Sequence, residues 1–347
     1  MKLFTWTDIN DPEWNWEEIR LKNRSDHKKE IISHLDKKII WQLPVKIAIV
    51  KALENSGNML IDRKWPIGKF LFYWPSGTGK TSIVQELAWM LFNDTKWYTH
   101  IACENLNASH QTANLFWSPP WYVWFQKKTI LSPDTVFAPY NKAKAQRQLP
   151  LPSIDSIILF DEVEKMHPAI SQSLLSVLDE WIVNLMDWTK TDLSRALIFF
   201  TSNIGEKEIN NRKPIWFNSQ SISKESIRES AVRKHFSPEF MARIDDMFEF
   251  QSLWWDDRMR ILKDVSYAKL VEDIGYYTPW ISINISDDVY QHIIDGAEWK
   301  TVRELKRWFE EIRLRLWMII STNNLEDKKI DINVKMDEWK IIYTVNK

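Results

Sequence analysis

The sequence predicts an α/β protein: a mostly parallel sheet flanked by helices, followed by a smaller, mainly helical α+β domain at the C-terminal end. Three observations carry this expectation. Apolar runs of strand length, Phe70–Tyr73, Ile157–Phe160 and Ala196–Phe200, are interleaved with segments whose apolar residues recur at helical spacing. The first run leads through Trp74-Pro75-Ser76-Gly77-Thr78-Gly79-Lys80-Thr81 into a helical pattern reaching Phe92. Near residue 252 the pattern changes to helices at about 255–273, 286–295 and 301–321, with short strands around 281–285, 330–335 and 340–345.

The elements follow in order. Residues 1–25 are polar and weakly patterned, and read as an N-terminal tail. Residues 26–252 form the expected large domain and residues 253–347 the small one. Within the first, Glu30 to Leu53 is mostly helical, broken by Trp41-Gln42-Leu43-Pro44, where Pro interrupts the backbone hydrogen bonding. The strand Ile157–Phe160 ends in Asp161-Glu162, and Ala196–Phe200 ends in Thr201-Ser202-Asn203. Parallel sheets bind ligands at the C-terminal ends of their strands, where both of these polar termini and the loop after Tyr73 fall.

Trp74 to Thr81 has the form of the phosphate-binding loop G-x-x-x-x-G-K-[ST], with Trp in place of the first Gly. Its strand–loop–helix context is the one that motif requires. The exception at Trp74 recurs along the chain. There are 21 Trp and only 7 Gly in 347 residues, whereas Gly alone averages about 7% of ordinary proteins. Several of these indoles fall where a chain needs left-handed backbone or close approach, such as Trp339 between two strand-like runs and Trp121 and Trp124 beside Tyr-Val. The reading that accounts for this is that many of the tryptophans stand for glycines encoded by UGA. Glycines from other codons, such as Gly77 and Gly79, survive beside them.

Composition bounds the remaining possibilities. A chain of 347 residues exceeds one compact core. Charged residues make up 27% and the net charge is −1, so no bulk basic field points to nucleic acid or an anionic membrane. A lone Cys103 excludes a disulfide framework and suits a reducing compartment. No run of 18 apolar residues occurs. A cytoplasmic protein with neither nucleic-acid nor membrane partners is expected.

The chemistry that these residues offer is nucleotide hydrolysis. In Pro75-Ser76-Gly77-Thr78-Gly79-Lys80-Thr81 the backbone N–H groups from Ser76 onward, together with the helix N-terminus, cradle phosphate oxygens, and Lys80 places a cation on the β- and γ-phosphates of ATP. The Thr81 hydroxyl and Asp161 are the expected Mg²⁺ ligands. Glu162 is placed to polarise the attacking water and Asn203 to orient it.

Taken together, these residues resemble the AAA+ ATPases of the Clp family, specifically the second ATPase module of ClpA, ClpB and ClpC, over roughly residues 30 to 345. The likeness sharpens wherever Trp is read as Gly. Ile39-Ile40-Trp41-Gln42 is similar to the family's V-I-G-Q adenine-contacting segment. Trp65-Pro66-Ile67-Gly68 resembles R-P-I-G, and Asp161-Glu162-Val163-Glu164-Lys165-Met166-His167-Pro168 is nearly D-E-V-E-K-A-H-P. The run from Val177-Leu178-Asp179-Glu180-Trp181 to Thr201-Ser202-Asn203-Ile204-Gly205 matches without a gap.

The resemblance implies further roles. Phe236-Ser237-Pro238-Glu239-Phe240-Met241-Ala242-Arg243-Ile244-Asp245 is similar to the family's F-x-P-E-F-x-N-R-I-D segment, which makes Arg243 an arginine finger acting on a neighbouring subunit. Arg303, in Val302-Arg303-Glu304-Leu305-Lys306-Arg307, resembles the small-domain sensor arginine, although Thr301-Val302 replaces the family's Gly-Ala. Trp121-Tyr122-Val123-Trp124 resembles the substrate-gripping G-Y-V-G pore loop. Ile215-Trp216-Phe217, read as Ile-Gly-Phe, resembles the loop that docks on a ClpP-like peptidase.

The chain departs from the family at Gln126-Lys127-Lys128-Thr129, where Glu-Glu-Gly-Gly is usual, and in carrying one ATPase module. The expectation is an ATP- and Mg²⁺-dependent unfoldase. It forms a homo-oligomeric ring, a hexamer by resemblance, and threads unfolded protein substrates to a ClpP-like peptidase. The alternatives are a peptidase-independent disaggregase of the ClpB kind, a DNA-acting AAA+ ATPase and, if the tryptophans are real, a non-hydrolysing relative.

Overall fold

The computed structural model describes residues 3–4, 33–39, 42–56, 65–111, 115, 129–146, 154–185, 189–204, 232–251, 253–297, 301–322, 330–337 and 340–346. The chain separates into two compact units. One comprises residues 1–35, 42–76 and 80–251, and the other residues 36–41, 77–79 and 252–347.

The first unit is built on a six-stranded sheet. In chain order its strands are β1 (Leu3–Phe4), β2 (Gly68–Tyr73), β3 (Thr99–Ala102), β4 (Ser156–Asp161), β7 (Ala196–Ser202) and β8 (Asp246–Glu249), with a separate hairpin of β5 (Ile182–Asn184) and β6 (Lys190–Asp192). The spatial order is β1-β8-β2-β7-β4-β3, and every pairing is parallel. All residues of β2 and β7 are buried, and so are all of β4 except Asp161. That is why these three strands read as unbroken apolar runs: helices cover both faces of such a sheet.

Alternation along the strands sorts the aromatic residues. Phe70 and Phe72 meet Phe199 and Phe248 at ring separations of 5.5–6.2 Å, and Phe72 also meets Phe250 at 5.0 Å. Phe200, one residue on from Phe199, packs instead against Phe160 and Phe240. Successive side chains of a strand point to opposite faces, so neighbouring phenylalanines serve different layers.

Among the helices in this unit are α1 (Leu43–Ser56), α2 (Lys80–Phe92), α3 (Pro133–Val136), α4 (Ala138–Ala145), α5 (Pro168–Glu180) and α6 (Pro238–Ala242). α5 and α6 both begin with Pro at the first helical position, where its missing N–H costs nothing. His167 and Ser237 cap them by accepting the N–H groups of Ala169 (3.1 Å) and Phe240 (3.2 Å). α5 ends on Trp181, whose left-handed backbone (φ 57°) lets its N–H return to the Val177 carbonyl at 2.9 Å.

The second unit has its own core. α7 (Trp255–Arg260) runs through a π-helical stretch, Ile261–Tyr267, into α8 (Ala268–Tyr277), and α9 (Asp287–Gly296) and α10 (Val302–Thr322) follow. α10 buries Val302, Leu305, Phe309, Ile312, Leu316 and Ile320, a stripe spaced by three and four residues. A three-stranded sheet carries β9 (Ile281–Ile285) parallel to β10 (Ile330–Asp337), which pairs antiparallel with β11 (Lys340–Asn346). The β10–β11 ladder closes on Asp337 opposite Lys340.

The predicted fold class holds: a parallel sheet flanked by helices, then helices with short strands. Several elements went unanticipated. β3, β8 and the β5–β6 hairpin are only three or four residues long and carry exposed or half-buried polar residues, so they lack an apolar run. Leu3–Phe4 lies within the stretch expected as a tail, yet it pairs with Met247–Phe248 as an edge strand. The helix expected at 255–273 extends to Tyr277 and contains the π-helical stretch.

Candidate functional site

The strand order creates the site. β7 lies between β2 and β4, in register Tyr73 with Ser202 and Phe160 with Phe200. The loop after β2, Asn203 after β7 and Asp161-Glu162 at the end of β4 therefore emerge side by side. The side chains in contact there all belong to the first unit.

The loop is shaped by left-handed backbone at Trp74 (φ 62°), Gly77 (φ 72°) and Gly79 (φ 90°). Two of these are glycines, which accept that conformation without cost; the third is a buried tryptophan. Lys80 opens α2 and is buried, 7% exposed. Its ammonium donates to the carbonyl oxygens of Trp74 (3.2 Å) and Pro75 (2.8 Å) and to Asn203 Oδ1 (2.8 Å). Thr78 is buried, Ser76 is exposed, and Thr81 is half-buried in the first turn of α2.

From Asn203 the contacts continue to the carboxylates. Its Nδ2 donates to Glu162 Oε1 at 2.7 Å, and its backbone N–H donates to Glu164 Oε1 at 2.9 Å. Glu162 is itself left-handed (φ 57°), a conformation that costs a non-glycine residue about 1–2 kcal/mol and concentrates at functional sites. Its N–H is fixed on Thr201 Oγ1 at 3.0 Å, and its Oε2 meets Lys165 Nζ at 2.5 Å.

Asp161 accepts the Thr201 hydroxyl on Oδ1, while His100 Nε2 lies 3.3 Å from Oδ2. Burial alone would push the Asp161 carboxyl up. The hydrogen bonds from His100 and Thr201 and the Lys80 charge outweigh it and hold the carboxyl below its ordinary range. Asp161 is thus an anion, suited to a cation. Cys103 is the opposite case: burial and the charges of Asp161, Glu164 and Glu162 push its thiol far up, so it is no nucleophile.

The donor set fits a nucleotide polyphosphate with its divalent ion. The loop combines φ-positive glycines, a helix N-terminus and a buried ammonium, which suit phosphate oxygens. Asp161 and Thr81 supply the hard oxygen ligands that Mg²⁺ takes, usually with several waters retained. Among the described residues no group of three or more His, Cys, Asp or Glu is placed to hold a metal ion.

Of the residues singled out from sequence, Lys80, Asn203, Glu162 and Asp161 come together, with Pro75 in direct contact. Arg243 stands apart from them, at the end of α6, in a bidentate ion pair with Asp179. Ile39 is buried and Arg303 is exposed in the first turn of α10, both in the second unit. Ile40, the Trp121-Tyr122-Val123-Trp124 segment and Ile215-Trp216-Phe217 lie outside the described residues. The sequence pattern did not single out Thr201, His100 or Lys165. Thr201 had a signal, since it lies at the C-terminal end of an apolar strand, where parallel sheets bind ligands; His100 had none.

Comparison with known proteins gives the family. Residues 65–247, more than half the chain, match the AAA domain (Cdc48 subfamily). This chain belongs to the Clp family of AAA+ ATPases. The chaperone protein ClpB of Helicobacter hepaticus is 29% identical over 324 residues, covering 90% of this chain and 34% of that protein. ClpB 1 of Synechocystis sp. is 29% identical over 329 residues, covering 93% and 34%. The ATP-dependent Clp protease ATP-binding subunit ClpC of Staphylococcus epidermidis is 27% identical over 331 residues, covering 92% and 38%. The chain thus spans between a third and two fifths of the length of these Clp relatives. Among the described residues, no helix is long and apolar enough to cross a membrane.

Proposed function

We propose that this Clp-family ATPase is a cytoplasmic ring subunit that hydrolyses Mg²⁺-ATP to unfold and translocate polypeptides, feeding a ClpP-like peptidase. The observation that carries the hydrolytic part is the continuous contact Lys80–Asn203–Glu162, which ties the phosphate-binding cation to the carboxylate base. Bound ATP supplies the phosphoryl bond to be broken, and the protein's part is positioning and charge stabilisation. The loop N–H groups and Lys80 hold phosphate oxygens. Thr81 and Asp161 hold the Mg²⁺ shell. Glu162 takes a proton from water, and Asn203 keeps its carboxylate turned toward the site. Arg243 serves the site of the adjacent subunit, which makes hydrolysis depend on the ring. Arg303 and the segment Ile39-Ile40 complete nucleotide binding.

Two left-handed tryptophans support the glycine reading. Among the described residues five non-glycines have positive φ, and two of them are Trp74 and Trp181. A bulky side chain is a rare occupant of that region. One stands at the first glycine of the phosphate loop and the other just past a helix C-terminus, both positions where glycine is the usual residue. Peptide mass spectrometry of Phe70–Lys80 from the native host tests this: a mass with Gly at 74 supports it, and a mass with Trp refutes it.

The functional test is ATP hydrolysis coupled to loss of fluorescence from a stably folded reporter, with and without a ClpP-like peptidase. ATP-dependent unfolding with degradation on adding the peptidase is the expected result. A second reading, a peptidase-independent disaggregase, is favoured by the identity to ClpB; unfolding with no peptidase binding would establish it. Hydrolysis stimulated by DNA would replace both.

A further inference from the structure

Arg243 is held by three hydrogen bonds, and their arrangement says what it is free to do. Its Nε and Nη2 donate to the two carboxylate oxygens of Asp179 at 2.6 and 2.5 Å, and its Nη1 donates to the Glu239 carbonyl at 2.5 Å. A guanidinium has five N–H donors in a fixed plane. Three are used among the described residues, which leaves one on each terminal nitrogen. The side chain is 24% exposed, so it is neither sealed in the core nor loose on the surface.

Asp179 has no reason of its own to be where it is. It occupies the last turn of α5, where the negative end of the helix dipole disfavours a carboxylate. It is half exposed, and the partner that it does have is the guanidinium, whose charge and hydrogen bonds hold the Asp179 carboxyl below its ordinary range. A bidentate carboxylate grips the plane of an arginine as well as its charge. The Glu239 carbonyl fixes the remaining rotation, because it belongs to the same helix that carries Arg243.

We propose that Asp179 is a positioning residue for Arg243: it fixes the guanidinium within its own subunit so that the two free N–H groups meet the terminal phosphate held by a neighbouring copy. The proposal rests on the assignment of Arg243 as a finger acting between subunits. Fixing the plane in advance removes the ordering that a flexible arginine would undergo as charge develops on the phosphate, which is when such a donor matters most.

The experiment uses the assembled full-length protein and its mixtures. Asp179→Asn is expected to lower kcat about tenfold, a part of the ~10³–10⁵ that an arginine finger supplies, while binding of a fluorescent ATP analogue and the thermal midpoint stay unchanged. In the Arg243→Ala background it should cause no further loss. Asp179→Glu keeps the ion pair but displaces the guanidinium, so kcat should fall there too; a merely structural bridge would leave it unmoved. Mixing Asp179→Asn subunits with Lys80→Ala subunits, whose own site is dead but whose finger is intact, should restore hydrolysis.

The failures separate cleanly. If Arg243→Ala hydrolyses at the wild-type rate, the finger assignment itself is wrong. If Arg243→Ala is defective and is rescued by the Lys80→Ala partner, while Asp179→Asn and Asp179→Glu keep full kcat, the assignment stands and the role of Asp179 falls. Failure of both Asp179 variants to assemble would make the pair a structural tie and overturn the proposal as well.

Discussion

Replacing Trp181 sets opposed effects of similar size against each other, and the sign of the outcome is what matters. The indole is buried, 4% exposed, and truncating such a side chain costs about 3–5 kcal/mol. Lys69 Nζ sits 4.4 Å over the ring, and its loss adds about 0.5–2 kcal/mol. Against this, the Trp181 backbone is left-handed at φ 57°, worth about 1–2 kcal/mol of strain that only glycine relieves. The indole Nε1 is also buried without a hydrogen-bond partner among the described residues, a cost of about 1–3 kcal/mol that any truncation removes.

Alanine and glycine variants share every one of these effects except the backbone strain. Glycine gains about 1–2 kcal/mol there and gives back about 0.5–1 in unfolded-chain entropy. Trp181→Gly should therefore be more stable than Trp181→Ala by roughly 0.5–1 kcal/mol, the reverse of the order inside a helix. Equilibrium urea unfolding of the two variants, read by far-ultraviolet circular dichroism at matched m-values, measures the difference directly. A Trp181→Ala protein that is the more stable of the pair would refute the claim that this position is built for a residue without a Cβ, and with it the support this site lends to glycine at Trp74.

Other consequences can be checked alongside. Glu162→Gln should bind a fluorescent ATP analogue normally while hydrolysis falls by about 10²–10⁴, measured by phosphate release. Asn203→Ala removes the bridge between Lys80 and Glu162, and should lower kcat by about 10²-fold with little change in KM, read from initial rates across ATP concentration. Phe72→Ala, at the centre of the aromatic layer and fully buried, should cost about 3–5 kcal/mol in urea unfolding. Asp246 is pushed up to about 6, chiefly by burial and then by the neighbouring Asp245 charge. The folded protein therefore holds that proton more tightly than the unfolded chain, whose carboxyl titrates near ~3.9. Its contribution is complete below pH ~4 and is lost as pH rises through 6. The group is half-buried, so the loss, discounted for solvent screening, is about 1 kcal/mol, and Asp246→Asn should flatten that part of a stability-versus-pH curve.

What could be read in advance, and what could not, divides along physical lines. β2, β4 and β7 were legible because strands buried on both faces must be apolar throughout. The loop was legible because closely spaced glycines between a strand and a helix are what a backbone cradle for phosphate needs. The stripe on α10 followed from helical periodicity in the same way. β3 and β8 were not legible, since Thr99–Ala102 and Asp246–Glu249 mix polar and apolar residues over four positions. The sequence named Lys80, Glu162 and Asn203 one by one. That Asn203 touches both of the others, across 123 and 41 residues of chain, needed the strand order. Arg243 could be suspected from its flanks, but no spacing rule pairs it with an aspartate 64 residues earlier.

The Asn203 side chain is chemically lopsided, with an acceptor on one side and donors on the other, and here the oxygen faces an ammonium while the NH₂ faces a carboxylate. Turned over, it would set like against like on both sides at once. The amide therefore works as a keyed connector, with its orientation locked only while both charges face it. Whatever draws Lys80 or Glu162 away, a bound phosphate above all, unlocks it. The two amide protons of Asn203 are thus a built-in indicator of occupancy, and their side-chain NMR signals should change when ATP binds, even where the backbone around them stays still.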